Sequence, residues 1–211
     1  MNREIETDQL VIEIATRLFA EKGFNGTGVA EIAKAAGITN AGLYYHVSSK
    51  QELLYRVLES GLAGFLERLE QISEEEHSPL IKLQKALDNH LDFIFQHQDE
   101  IRVFLRERRF LAEPYGSKYQ VKVKRYDRLI DSILAEGMAS GHFQVSDIRL
   151  MRLAILGMIN WIAEWYKSGG PSSELEVRQE MKLFVIKRLV AMPDGLTPPH
   201  ADMAGDGEDN R

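Results

Sequence analysis

The residues whose types and spacing suit a chemical task lie close together, between Gly23 and Leu54. Within 39–46 the side chains of Thr39, Asn40, Ala41, Tyr44, Tyr45 and His46 are small or hydrogen-bonding, and between Glu31 and Glu52 there is no acidic residue. A surface that meets phosphates excludes carboxylates in this way, because each would repel the backbone and forfeit counterion release. Asn40 offers the donor and acceptor pair that matches an adenine edge, while Tyr44, Tyr45, His46, Thr27 and Lys50 are of types that bind phosphate oxygens. The pattern points to contact with double-stranded DNA.

Such contacts need a rigid support. Two short helices are expected at 28–35 and 39–45, joined by a turn at Ala36-Gly37-Ile38, which is helix-turn-helix spacing. Gly37 stands where the chain must leave one helix and enter the next, and Thr39 where an N-cap oxygen accepts from a free backbone N–H. Phe24, Val29, Ile32, Ala33, Ile38 and Leu43 supply a shared core. Before them, Leu10, Val11, Ile14, Ala15, Leu18 and Phe19 recur at helical spacing over 7–21, and Gly23 ends that helix. After them, Ser49-Lys50-Gln51-Glu52 reads as a capping box opening a helix to about Glu70, its N-terminus beside the phosphate track. On spacing alone a helical hairpin that merely packs remains open.

Bulk properties narrow the field. The 211 residues carry a formal net charge of −6: five Lys/Arg against seven Asp/Glu in 1–55, one against five in 194–211, and a balance between. A non-specific DNA coat is disfavoured, whereas a sequence-specific reader is not, since base contacts specify. With no cysteine there is no disulfide, thiol nucleophile or thiolate metal site, which fits a reducing cytoplasm. Charges run through the first twenty residues, so no secretory leader is expected, and the most apolar run, 153–163, is too short to span a bilayer. His46, His77, His90, His97, His142 and His200 form no metal-ligand spacing, and no nucleophile motif occurs, so an enzyme is not expected. His90 and His97, two turns apart, read as surface histidines. A helical interaction protein without DNA binding is the third class.

The remainder is helical pattern: Pro79 to about Gln96, 99–111, 118–140 after a break at 113–117, 147–167, and 174–191, with no convincing strand. The expected fold is all-α, with a reading domain at 1–55, a helical domain at 56–192 and a disordered tail at 193–211.

The residues Gly23-Phe24, Thr27, Val29, Ile32-Ala33, Ala36-Gly37, Gly42, Leu43-Tyr44, His46, Ser49-Lys50 and Leu53-Leu54, in this order, resemble the TetR family of bacterial transcriptional regulators. Gly28 stands where serine is common, Val47 where an aromatic is usual, and Gln51 where glutamate is usual. The resemblance implies a dimeric repressor that holds a near-palindromic operator with Thr27, Gly28, Thr39, Asn40, Ala41, Gly42, Tyr44, Tyr45, His46 and Lys50. It also implies a small-molecule effector in the second domain. The runs 102–111, 135–143 and 161–171 are similar to those of TetR-type regulators of fatty-acid, steroid-ring or related acyl-CoA catabolism, so an acyl-CoA effector is expected, or else a different hydrophobic ligand, with no other cofactor and no metal.

Charge and aromatic content bear on that expectation. Nine basic residues lie between Arg102 and Arg128 against three acidic ones, a net +6 that would suit the phosphates of coenzyme A, or else a solvated patch balanced from elsewhere. Phe65, Phe93, Phe104, Tyr119, Tyr126, Trp161 and Trp165, with Arg106, Arg109 and Glu164, are the candidate effector contacts. Glu164 pairs with an arginine, faces a cavity mouth or reaches solvent. Leu153, Ala154 and Gly157, then Met181, Phe184 and Val185, lie on the apolar faces of the last two helices, which in the family pack against their copies in a dimer.

Overall fold

The computed structural model describes residues 2–190, and among these the chain forms nine α-helices and no strand. They are α1 (Asn2–Gly26), α2 (Val29–Ala35), α3 (Asn40–His46), α4 (Lys50–Glu74), α5 (Pro79–Gln96), α6 (Gln98–Glu107), α7 (Tyr115–Ala139), α8 (Ile148–Trp165) and α9 (Glu174–Val190), with a 3-10 turn at Arg108–Phe110 after α6. The expected tail at 193–211 lies outside the described residues.

Local chemistry sets the reading head. In α1 the backbone leaves helical geometry at Gly23 (φ 75°), and Val11, Ala15, Leu18 and Phe19 face the core, whereas Leu10, expected among them, is exposed. Ile32, Ala33, Leu43 and Val47 close the small core from α2 and α3, so the aliphatic Val47 fills its site. Gly37 adopts φ 68°, a left-handed turn that a Cβ would strain. Thr39 caps α3, its hydroxyl oxygen accepting from Gly42 N–H at 3.0 Å. At the start of α4 the box is displaced by one residue: Ser49 Oγ accepts from Glu52 N–H, but the Glu52 carboxylate returns to the N–H of Ser48.

The α4 helix is the longest-reaching link. Its first turns pack on α1 with Leu53 and Leu54 buried, and its later turns pack on α5 and α7. The expected boundary at 55 therefore falls inside one helix. Helix α1 also packs extensively on α6, so the N-terminal unit rests on the remainder of the chain at two places. The break expected at 113–117 is shorter than read, because α7 starts at Tyr115 directly after Pro114. In the stretch 135–143, Gly137 has no Cβ to collide with the Phe143 ring, which lies where that atom would be, and its carbonyl accepts from the N–H groups of His142 and Phe143. The role of that stretch is thus the stop of α7. Helix α8 packs on α5, α6 and α7, and α9 packs on α5.

Candidate nucleic-acid interface and interior cavity

One face of α3 is left for a partner. Asn40, Ala41, Tyr44 and Tyr45 are all exposed, with Tyr45 at 76% of its free surface, while Leu43 on the opposite side is fully buried. Thr39 is exposed beside them and Gly42 is half-buried. Gly28 is the exposed N-cap of α2 with no side-chain cap and open space around it. A Gly28→Ser change is expected to raise stability by about a few tenths of a kcal/mol by capping α2, read as a small rise in melting temperature.

Three expected contacts are placed otherwise. Thr27 is buried, its hydroxyl donating to the carbonyl of Gly23 at 2.9 Å and lying 3.1 Å from that of Leu18, so it fixes the kink after α1 and cannot reach DNA. His46 is largely covered, with Nδ1 on the Asp8 carboxylate at 2.5 Å. The fold thus brings an acidic residue of α1 to the end of α3, which the local absence of carboxylates concealed; Arg56, at 4.0 Å from Asp8, offsets it. Lys50 holds its ammonium 4.2 Å from the centre of the Phe24 ring, and partial burial lowers its pKa.

Below the head lies a cavity of about 640 Å³. Five of the expected aromatic contacts line it: Phe65, Phe93, Phe104, Tyr119 and Tyr126. Phe65 stacks between Phe93 and Tyr126, at 4.9 and 4.8 Å between ring centres. Phe104 lies tilted against Tyr119, 6.3 Å between ring centres, and carries the Arg108 guanidinium over its face at 4.6 Å. Arg109 also lines the cavity, and among the described residues neither it nor Arg108 pairs with a carboxylate, in contrast to Arg152, held by Asp127 and Asp131 at 3.0 and 2.8 Å. Asp127 is itself raised by burial.

His90, read as a surface residue, is enclosed here. Its Nδ1 lies 2.8 Å from the Tyr126 hydroxyl and its Nε2 2.9 Å from Asn160 Oδ1. Burial lowers the imidazole to about 4 and pushes the phenol up, so both are neutral at pH 7. No sequence signal marked Asn160 or Arg108 as cavity residues, beyond a polar group in an apolar helix and a place in the basic run. His97, by contrast, is half-exposed and meets Glu100.

The cavity wall is bonded to the reading head. Glu107, buried at the end of α6, accepts from Phe24 N–H at 2.7 Å. Gln51 in α4 donates to the Phe110 carbonyl at 3.0 Å and accepts from Ala112 N–H at 2.9 Å. Phe110 stacks on Phe24 at 6.0 Å. A carboxylate at 51 would keep one of these two bonds and face the carbonyl unfavourably, which accounts for the departure from the usual glutamate.

Comparison with known proteins decides the identity. Residues 11–57 match the profile of bacterial regulatory proteins of the tetR family, and residues 76–189 match the tetracyclin repressor-like C-terminal domain. The chain belongs to the TetR family. It is similar to the HTH-type transcriptional repressor KstR2 of Mycolicibacterium smegmatis, with 30% identity over 83% of this chain and 87% of the relative. It is also similar to the fatty acid metabolism regulator protein of Bacillus subtilis, with 28% identity over 71% and 78%. The solved structure of the ketosteroid transcriptional regulator KstR2 of Mycobacterium tuberculosis superposes with a TM-score of 0.80 at 27% identity, over 87% of this chain and 95% of that one. The protein is accordingly a transcriptional regulator and not an enzyme. Among the described residues no helix is long and apolar enough to cross a membrane.

Several residues expected in the cavity of this TetR regulator lie elsewhere. Arg106 and Glu164 pair with each other across α6 and α8, which selects one of the alternatives for Glu164. Trp161 and Trp165 are exposed, 64% and 43%, on the outer face of α8. The +6 run is dispersed in the fold: Arg102 pairs with Asp99, Lys122 with Glu59 and Arg125 with Glu70. Of the expected dimer contacts, Ala154 and Phe184 are exposed, Met181 is half-buried, and Val185 is buried inside the protomer against the core. Leu153 and Gly157 are exposed yet also line the cavity, since α8 forms a thin wall there.

Proposed function

We propose that this TetR regulator is a homodimeric repressor released from a near-palindromic operator by an acyl-CoA thioester, working in the cytoplasm. Residues 1–55 act as the reading head and 56–192 as the effector and dimerisation region. Asn40 and Ala41 with Thr39 read base edges, while Gly28, Gly42, Tyr44 and Tyr45 seat the head on phosphates.

The reading rests above all on one arrangement: an apolar cavity with two arginines not paired with a carboxylate among the described residues, whose wall, from α6 through the 3-10 turn, is hydrogen-bonded to the head. The acyl portion suits the aromatic lining. The phosphates of the much larger coenzyme A suit Arg108 and Arg109, which are exposed at the cavity edge. Filling the cavity displaces α6, and through Glu107 and Gln51 it tilts α1 and α4. The head spacing then no longer matches successive major grooves about 34 Å apart, so ligand and operator favour different states and oppose each other. Relatives named for ketosteroid regulation and for fatty acid metabolism agree with an effector from that chemical class.

The test is a gel-shift titration on the DNA upstream of the protein's own gene. Octanoyl-CoA is expected to release the complex, and free coenzyme A is not; if no acyl-CoA binds or releases DNA, the effector assignment fails. Tyr44→Ala is expected to weaken operator binding about 10-fold, the loss of one well-made hydrogen bond and its packing, with an unchanged melting temperature. Unchanged affinity would remove Tyr44 from the interface.

A further inference from the structure

We propose that the effector carries a carbonyl oxygen on its apolar body, received inside the cavity by the amide N–H groups of Asn160. This deepens the reading of the cavity as the effector site and rests on it. The argument is one of hydrogen-bond direction. Asn160 Oδ1 lies 2.9 Å from His90 Nε2, and an amide oxygen only accepts, so Nε2 carries the proton. That leaves Nδ1 as an acceptor, which the Tyr126 hydroxyl fills from 2.8 Å. Every donor of His90 and Tyr126 is then used within the protein. The reverse direction would leave the Tyr126 hydrogen without an acceptor among the described residues. Burial, which holds the imidazole near 4, excludes a third arrangement with both nitrogens protonated.

What the network leaves over is the NH2 group of Asn160, in a residue that lines the cavity. A second polar group stands in the same lining: Tyr119 is 5% exposed, and its hydroxyl, which can donate or accept, has no hydrogen-bond partner among the described residues. Asp127 is held by Arg152 and Glu100 meets His97, and among the described residues neither carboxylate is paired with the Asn160 amide. A ligand atom that meets the Asn160 N–H groups must accept. A ketone or thioester oxygen does so and brings no hydrogen of its own, while an alcohol that accepts from Asn160 must also find an acceptor for its hydroxyl hydrogen. A ligand without an acceptor covers the half-buried amide and leaves it unpaired, which costs affinity.

The test uses the full-length protein and two rigid probes of the same size, 1-decalone and 1-decalol, titrated by saturation-transfer NMR. The wild type is expected to bind the ketone about 5-fold more tightly than the alcohol. Asn160→Asp keeps an acceptor for His90 but presents no N–H, so its preference inverts toward the alcohol; Asn160→Leu, should the aspartate variant fail to fold, loses the preference. Equal binding of the two probes by the wild type, a ketone preference that survives both substitutions, or binding of neither probe overturns the inference. If the decalone preference fails while octanoyl-CoA still releases the operator, only the carbonyl assignment falls. If the preference holds and the thioester is inert, it is the acyl-CoA reading that falls.

Discussion

Phe184→Glu is expected to leave the protomer folded, to halve its mass in light scattering, and to lower operator affinity by about 100-fold, because one short head contacts too little DNA for tight specific binding. The argument starts from exposure. Leu150, Leu153 and Trp161 on α8, with Leu183 and Phe184 on α9, are all exposed, the kind of apolar face that the proposed dimer would cover. Small neighbours, Ala154 and Gly157, allow a second copy to approach closely; nothing lies within 4 Å of where a Cβ on Gly157 would be. In a two-fold interface each substitution occurs twice, so one change buries two unpaired carboxylates. A dimer that persists with full operator affinity would show that the copies meet elsewhere.

Acidification supplies the other large effect. The folded protein holds His90 near 4, whereas the unfolded imidazole titrates near its ordinary 6.5. Below 6.5 the unfolded chain therefore takes up a proton that the folded one refuses. The stability from the neutral imidazole is complete above pH 6.5, falls as the pH drops from there, and levels off below about 4, a total of about 3 kcal/mol. Urea titrations of wild type and His90→Gln at pH 7, 5 and 4 read it directly: glutamine can satisfy Tyr126 and Asn160 without titrating, so its stability should decline less steeply by that amount. Parallel declines would mean that His90 is not enclosed in solution.

The parts legible in the sequence are those decided within a few residues. Thr39 capping, the Gly37 turn and the Ser49 cap depend on neighbours along the chain, and all appear as expected, as does the all-helical pattern. Side chains that answer to distant partners were harder to read. Thr27 looks like any threonine near a helix start until the kink at Gly23 folds over it, and Asp8 becomes a neighbour of His46 only through the packing of α1. Helix α8 is apolar on nearly every side, so periodicity does not separate its core face from its outer face, and Trp161, expected at the cavity, points out. His90 and Asn160 lie seventy residues apart and have no local signature; only the tertiary contact makes them a site.

The Gln51 clamp has a consequence for how such a regulator diversifies. It grips main-chain atoms, the Phe110 carbonyl and the Ala112 N–H, and no side chain of that loop. Arg108, Arg109 and Leu111, which face the cavity, are thus free to change without loosening the grip. On the proposed reading of the cavity as the effector site, selection can retune which molecule is sensed while inheriting the linkage to the reading head unchanged.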